Sequence, residues 1–259
     1  MDLFFRSYGH GNPIIILHGI LGISDNWVSF GKRIAEQGYR VIIPDQRNHG
    51  HSPHSPAFNY YALVDDLYEF IDNLGLENPI LIGHSMGGKV VMRYTLENPD
   101  LVSKIILVDV SLRTYVTHGH HQQLLKTMMD VDLKNSKSRK DVEKQLREKI
   151  ESERIRKFLL KSLYWKEKNK LGWRLNLEAI YENLESMYDG VYFSTRFFGP
   201  ALFVKGGKSD YVTEDDHKAI FASFPKAEIE TIENGTHWVH ADEAEEFYKM
   251  VNNFLINNS

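Results

Sequence analysis

Six short apolar-rich runs constrain what this chain can fold into: Pro13–Leu17, Tyr39–Pro44, Pro79–Ile82, Lys104–Val108, Ala201–Lys205 and Glu228–Ile232. They read as continuous runs rather than alternating ones, the pattern of parallel strands buried on both faces. Between the early runs lie stretches with helical spacing. Val64, Leu67, Tyr68, Ile71 and Leu74, at steps of three and four, make one apolar stripe. Regular alternation of strand and helix predicts an α/β fold, a mostly parallel doubly wound sheet with crossover helices on both faces. Leu3–Tyr8 is expected to add an antiparallel edge strand.

The alternation stops after Val110. From Ser111 to Pro200 the sequence reads as helices only, with Val142, Leu146, Ile150, Ile155, Phe158, Leu159 and Leu163 marking one amphipathic run. This segment also differs in charge. It holds 18 Lys and Arg against 12 Asp and Glu, a net +6, while the rest of the chain carries −10. The expected organisation is a core made of 1–110 and 201–259, with 111–200 inserted as a helical lid. No repeat or low-complexity tract interrupts either part.

Composition narrows the function. The chain of 259 residues is 42% apolar and 25% charged, the balance of an ordinary globular protein. A net charge of −4 argues against a nucleic-acid binder held by general basicity. Without cysteine there is no disulfide, no thiolate metal site and no cysteine nucleophile. No apolar run approaches the roughly 20 residues that span a bilayer, and Met1–Arg6 lacks the form of a signal peptide. The expectation is a soluble, cytoplasmic protein without membrane insertion.

The run Pro79–Ile82 leads into Gly83-His84-Ser85-Met86-Gly87-Gly88, and a helix is expected over Lys89–Asn98. Glycines on both sides of Ser85 permit a sharp strand-to-helix turn that lifts its hydroxyl out at the end of the sheet. The adjoining helix N-terminus offers unpaired N–H groups and a partial positive charge to a developing oxyanion. A Gly-x-Ser-x-Gly turn in that setting marks Ser85 as a nucleophile rather than an incidental turn serine.

With these residues in place, the chain resembles the α/β-hydrolase family over all but the inserted segment. Gly83–Gly88 matches the nucleophile elbow, and His18-Gly19-Ile20-Leu21-Gly22 matches the loop that carries the oxyanion hole. The resemblance implies the backbone N–H groups of Ile20 and Met86 as donors. Asp45-Gln46-Arg47-Asn48-His49-Gly50-His51-Ser52 matches the loop after the next strand, with asparagine at position 48 where glycine is usual. That variant resembles a branch of small esterases acting on short acyl esters and, in some members, on acyl-CoA thioesters.

A serine nucleophile needs a base. The family order is serine, acid, histidine, and Gly235-Thr236-His237, after the last strand, matches the family's Gly-x-His loop. His237 is the expected base; His240 is read as a helix-entry residue. Two aspartates compete for the acid. The resemblance places it in a Gly-x-x-Asp turn after the penultimate strand, here Gly206-Gly207-Lys208-Ser209-Asp210. Counting from Gly206 puts Ser209 at the acid position, and counting from Gly207 puts Asp210 there. The alternative is Asp109, at the end of the strand that follows the nucleophile helix, and it is the one favoured. Either position is sound, because catalytic groups gather at the carboxyl ends of strands in open sheets.

Weaker signals have bland readings. His118-Gly119-His120-His121 could hold a metal, but no carboxylate is spaced to join it, so lid contacts are expected and neither metal nor cofactor. His49 and His51 are expected to steady their loop. The basic insert is read as a solvated face, steering of an anionic substrate being the sharper alternative. Tyr164, Trp165, Trp173, Phe197 and Phe198 are expected to pack the insert on the core.

The resulting expectation is a serine carboxylesterase for short- to medium-chain acyl esters or thioesters, forming an acyl-enzyme on Ser85, as a monomer or homodimer. Serine at position 85 separates it from family members that use aspartate there, the dehalogenases and epoxide hydrolases. A carbon–carbon bond hydrolase or a cofactor-free haloperoxidase would keep the same residues. A non-catalytic ligand receptor of this fold would be marked by a damaged triad, whereas here all members are present.

Overall fold

In a computed structural model, which describes residues 1–116 and 119–258, the chain opens with β1 (Phe5–Tyr8), β2 (Asn12–Leu17), α1 (Val28–Ala35) and β3 (Tyr39–Pro44). It continues through α2 (Tyr60–Asn73), β4 (Ile80–His84), α3 (Met86–Glu97) and β5 (Lys104–Val108). The inserted segment follows: α4 (His120–Met129), α5 (Arg139–Arg147), α6 (Glu153–Leu160), β6 (Leu163–Glu167), β7 (Lys170–Trp173) and α7 (Leu177–Glu182). The chain then returns to the sheet with β8 (Ala201–Gly206), α8 (Glu214–Ser223), β9 (Ala227–Ile232), α9 (Val239–Asp242) and α10 (Ala244–Asn257).

Seven strands form one sheet in the order β1-β3-β2-β4-β5-β8-β9. Only β1 is antiparallel; every other neighbouring pair is parallel. The order reverses between β2 and β4, where crossovers leave the sheet in opposite directions and open a crevice at the carboxyl ends of both strands. Strand periodicity divides the core. Ile15, Leu17 and Leu81 pack with Val64 of α2, Val90 of α3 and Leu125 of α4 on one face. Ile14, Ile16 and Ile82 pack with Ile34 of α1 and Phe247 and Val251 of α10 on the other. The four central strands β2, β4, β5 and β8 are continuous runs because both faces are covered.

Several sequence expectations need correction. β9 is an edge strand whose side chains alternate in exposure, so it is not buried like the others. The amphipathic run over 142–163 is two helices: α5 ends near Arg147, and Ser152 caps α6 by accepting from the Ile155 amide. The insert is not all helical. β6 and β7 form an antiparallel hairpin that turns at Asn169, whose φ is +63°. Helix α3 begins at Met86, directly after the elbow, rather than at Lys89. Among the described residues no helix is long and apolar enough to cross a membrane.

Candidate active site

Ser85 sits between the last residue of β4 and the first of α3 with φ +52° and ψ −118°, a conformation that a serine adopts only under constraint. The constraint is steric. A Cβ on Gly83 would lie 2.5 Å from the Gly87 carbonyl oxygen, and one on Gly87 would lie 2.5 Å from that of Leu17. No larger residue fits either position, so strand, turn and helix close onto β2.

The elbow aims Ser85 at His237. The Ser85 Oγ lies 3.1 Å from His237 Nε2, and His237 Nδ1 lies 2.8 Å from Asp109 Oδ2. Asp109 is fully buried, follows β5 with φ +47°, and accepts a further hydrogen bond from the Gly206 amide at 3.0 Å. An ionised carboxylate there is held by donors on three sides, because the Ser209 hydroxyl also donates to Oδ2. Of the two candidate acids the structure brings Asp109 to the histidine. Asp210 is exposed, and its main-chain oxygen accepts from Arg113 at 2.5 Å. The doubled glycine explains the outcome: β8 ends at Gly206, so Ser209 turns inward and Asp210 outward.

Two neighbours fix His237. Tyr211 stacks on it at 3.8 Å between ring centres and 22° between planes. His84, from inside the elbow, donates through Nε2 to the His237 carbonyl at 2.8 Å. Burial, reinforced by His237 nearby, lowers the His84 pKa to about 3, so it stays a neutral donor. His240 stacks face to face on Trp27 at 4.1 Å, and its Nδ1 has no hydrogen-bond partner among the described residues.

The oxyanion side is built as firmly. Met86 opens α3, where first-turn amides have no intrahelical acceptor, and Ile20 and Met86 both line the small cavity that contains Ser85. Two buried histidines hold the loop that carries Ile20. The Gln46 amide donates to His18 Nε2 at 3.0 Å, which leaves Nδ1–H to donate to the Gly19 carbonyl at 2.9 Å. The Leu21 amide donates to His49 Nε2 at 3.2 Å, and His49 Nδ1–H donates to the Arg47 carbonyl at 2.8 Å. Each ring thus accepts at one nitrogen and donates at the other, which only neutral imidazole can do. Burial pushes His18 down to about 4 and His49 to about 3.

The asparagine in the 45–52 loop has a physical reason. Asn48 has φ +66°, a conformation asparagine tolerates, and its side chain bonds the Ser55 backbone while accepting from Asn176 of the insert at 3.0 Å. It therefore fills a glycine position and adds a tie across to the inserted segment. Of the histidine cluster, His118 lies outside the described residues. His121 is half-buried against Tyr188, with its Nδ1 3.2 Å from the tyrosine hydroxyl, and desolvation lowers its pKa to about 3. No three metal-ligating side chains converge among the described residues.

Nothing in the sequence pattern singles out Lys89. It stands one helical turn beyond Ser85 on α3, is 1% exposed, and lines the Ser85 cavity. Tyr211 and the donor role of Ser209 were also missed; only the register count that reached Ser209 pointed toward either.

A nucleophile elbow at the switch point of a parallel sheet, faced by histidine and a buried carboxylate, defines an α/β-hydrolase. A model of the α/β-hydrolase fold matches residues 12–244, and the chain belongs to that family. It is 36% identical over 256 residues to an sn-1-specific diacylglycerol lipase, ABHD11, of Danio rerio, covering 97% of this chain and 80% of that one. It is 30% identical over 247 residues to the esterase YbfF of Escherichia coli, covering 95% and 94%. Among solved structures, a marine microorganism esterase superposes with a TM-score of 0.94 at 37% identity, covering 98% of this chain and 99% of that one.

Proposed function

We propose that the protein is a serine carboxylesterase that hydrolyses short- to medium-chain acyl esters through an acyl-enzyme on Ser85. The observation that carries this is the unbroken hydrogen-bonded line from Ser85 through His237 to Asp109. The names of the relatives, lipase and esterase, support the same class. The enzyme is a carboxylic ester hydrolase. As His237 Nε2 takes the hydroxyl proton, Ser85 Oγ attacks the acyl carbonyl carbon, and the carbonyl oxygen becomes an oxyanion received by the Ile20 and Met86 amides. Collapse breaks the ester bond, and the leaving alcohol takes the proton from Nε2. Water then gives a proton to the same nitrogen as it attacks the acyl-enzyme, and collapse releases the acid as Ser85 Oγ takes that proton back from Nε2. Asp109 holds Nδ1 protonated throughout and stabilises the imidazolium while it exists. Residues 111–200 serve as the lid over this chemistry, and the substrate is a small-molecule ester, with acyl-CoA thioesters as a second class.

Hydrolysis of p-nitrophenyl esters from acetate to palmitate, with acyl-CoA thioesters as a parallel panel, tests the reading. Wild-type turnover lost by at least a thousandfold in Ser85→Ala is expected. A folded wild type with no turnover on either panel would overturn it.

A further inference from the structure

Lys89 is a buried cation in the wall of an acyl site, and neither the triad nor the oxyanion hole uses it. Its ammonium donates to the Arg113 carbonyl at 2.7 Å and to the Asp189 carbonyl, and lies 4.5 Å from the centre of the Tyr115 ring. Arg113 lies where the chain leaves the core for the insert, and Asp189 lies in the limb of the insert that runs back toward β8. The nucleophile helix therefore holds both connections through one side chain. Among the described residues no carboxylate is hydrogen-bonded to the ammonium, and burial, with Arg93 nearby, lowers its pKa to about 7.

The space it borders is small. The cavity at Ser85 is about 20 Å³, room for about one water and not for an acyl chain. A second cavity of about 120 Å³ shares Tyr115, His121, Tyr188 and Tyr211 with it, still too little for a long acyl chain, which must displace part of the wall. The Ser85 side is backed by the sheet and α3. The opposite side is the returning limb, Leu184, Met187 and Tyr188, which ends at the carbonyl that Lys89 holds. A short acyl group needs only side-chain movement of Leu184 or Met187. A long chain must move the limb itself, which strips hydrogen-bond acceptors from a buried amino group and sets methylenes against it, both unfavourable.

We infer that Lys89 is the specificity-determining residue for acyl length: by holding Arg113 and Asp189 across the Ser85 cavity, it restricts this enzyme to short acyl chains. The inference rests on the esterase reading. Its test is the ratio of kcat/KM for p-nitrophenyl decanoate to that for butyrate, in wild type, Lys89→Met and Lys89→Arg. Methionine keeps the length and apolar stem and removes the donors. The expected ratio rises at least tenfold in Lys89→Met, mainly through a lower KM for decanoate, while Lys89→Arg stays closer to wild type. An unchanged ratio in folded Lys89→Met overturns the inference. If that variant does not fold, wild type decides. Among p-nitrophenyl esters of five to seven acyl carbons, one bearing a ketone next to its terminal methyl should exceed its plain counterpart threefold or more by accepting from the ammonium; smaller ratios throughout overturn the inference. Absence of any wild-type ester turnover is a separate outcome, and it removes the esterase reading itself.

Discussion

Ser209 and His237 both donate to the same oxygen of Asp109, Oδ2, while the Gly206 amide takes Oδ1. The acid thus comes from the strand after the nucleophile helix, and the turn after β8, the alternative location, contributes a hydroxyl that supports it. Removing that hydroxyl leaves Asp109 with two donors. A hydrogen bond to a charged group contributes about 1.5–3 kcal/mol. Ser209→Ala is expected to lower kcat about tenfold or somewhat more with KM within twofold, measured on the best p-nitrophenyl ester.

The two aspartates should separate by a wide margin. Asp109→Asn keeps the shape but removes the charge that stabilises the imidazolium, and the comparable change in a serine triad costs about 10⁴ in kcat. A loss of at least a thousandfold is expected. Asp210→Asn alters an exposed side chain and should stay within twofold of wild type, and a large loss there with a mild one at Asp109 would reverse the assignment.

Asn48 offers a stability test of an unusual position. Alanine at φ +66° is strained by roughly 1–2 kcal/mol and also loses the hydrogen bonds to Ser55 and Asn176. Glycine loses the same bonds without the strain. Urea unfolding should place Asn48→Ala about 2–4 kcal/mol below wild type and Asn48→Gly about halfway between them.

How far the sequence reached follows from which signals are local. The elbow was legible because Gly83, Ser85 and Gly87 must lie together for the turn to close, and the central strands were legible because burial on both faces leaves an unbroken apolar run. The hairpin at β6 and β7 was hidden. Its two short strands flank Lys168-Asn169 without the Asn-Gly pair that announces a tight turn, and charged residues blur its alternation. Lys89 was hidden for another reason: a lysine on a helix is ordinarily solvated, and only the folded chain shows that Arg113 and Asp189 arrive to receive its protons. The acid stayed divided between two positions because a doubled glycine gives two registers, and the end of β8 is a tertiary fact.

The insert grips the histidine loop through Arg154 of α6. Its guanidinium pairs with Asp242 at 2.5 Å, donates to Thr236 Oγ1 at 2.8 Å and lies 5.1 Å from the centre of the Trp238 ring, so the residues flanking His237 are held from above. Arg154 is half exposed, and such pairs contribute only about 0–1 kcal/mol to stability. Arg154→Ala should therefore leave the thermal midpoint within a few degrees while lowering kcat several-fold. Raising salt from 0.05 to 1 M should weaken wild type more than the variant. Equal salt responses would show that the contact does not position the loop.

Acid should unfold this protein earlier than its carboxylates alone would require. His18, His49 and His84 are buried and His121 is half-buried, with pKa values lowered to about 4, 3, 3 and 3, mainly by desolvation. Each stays unprotonated in the native state yet binds a proton once unfolded below about pH 6.5. The unfolded state then binds more protons, so stability is intact above pH 6.5 and falls as pH drops from there toward 4. Each proton taken up contributes a slope of about 1.4 kcal/mol per pH unit. Urea unfolding free energies at pH 7.5, 6.5, 5.5 and 5.0 should be level over the first interval and then decline with a slope of at least two protons. His49→Gln, which can keep one donor and one acceptor, should make that decline shallower; a flat profile down to pH 5 would show that these rings are protonated in the folded chain.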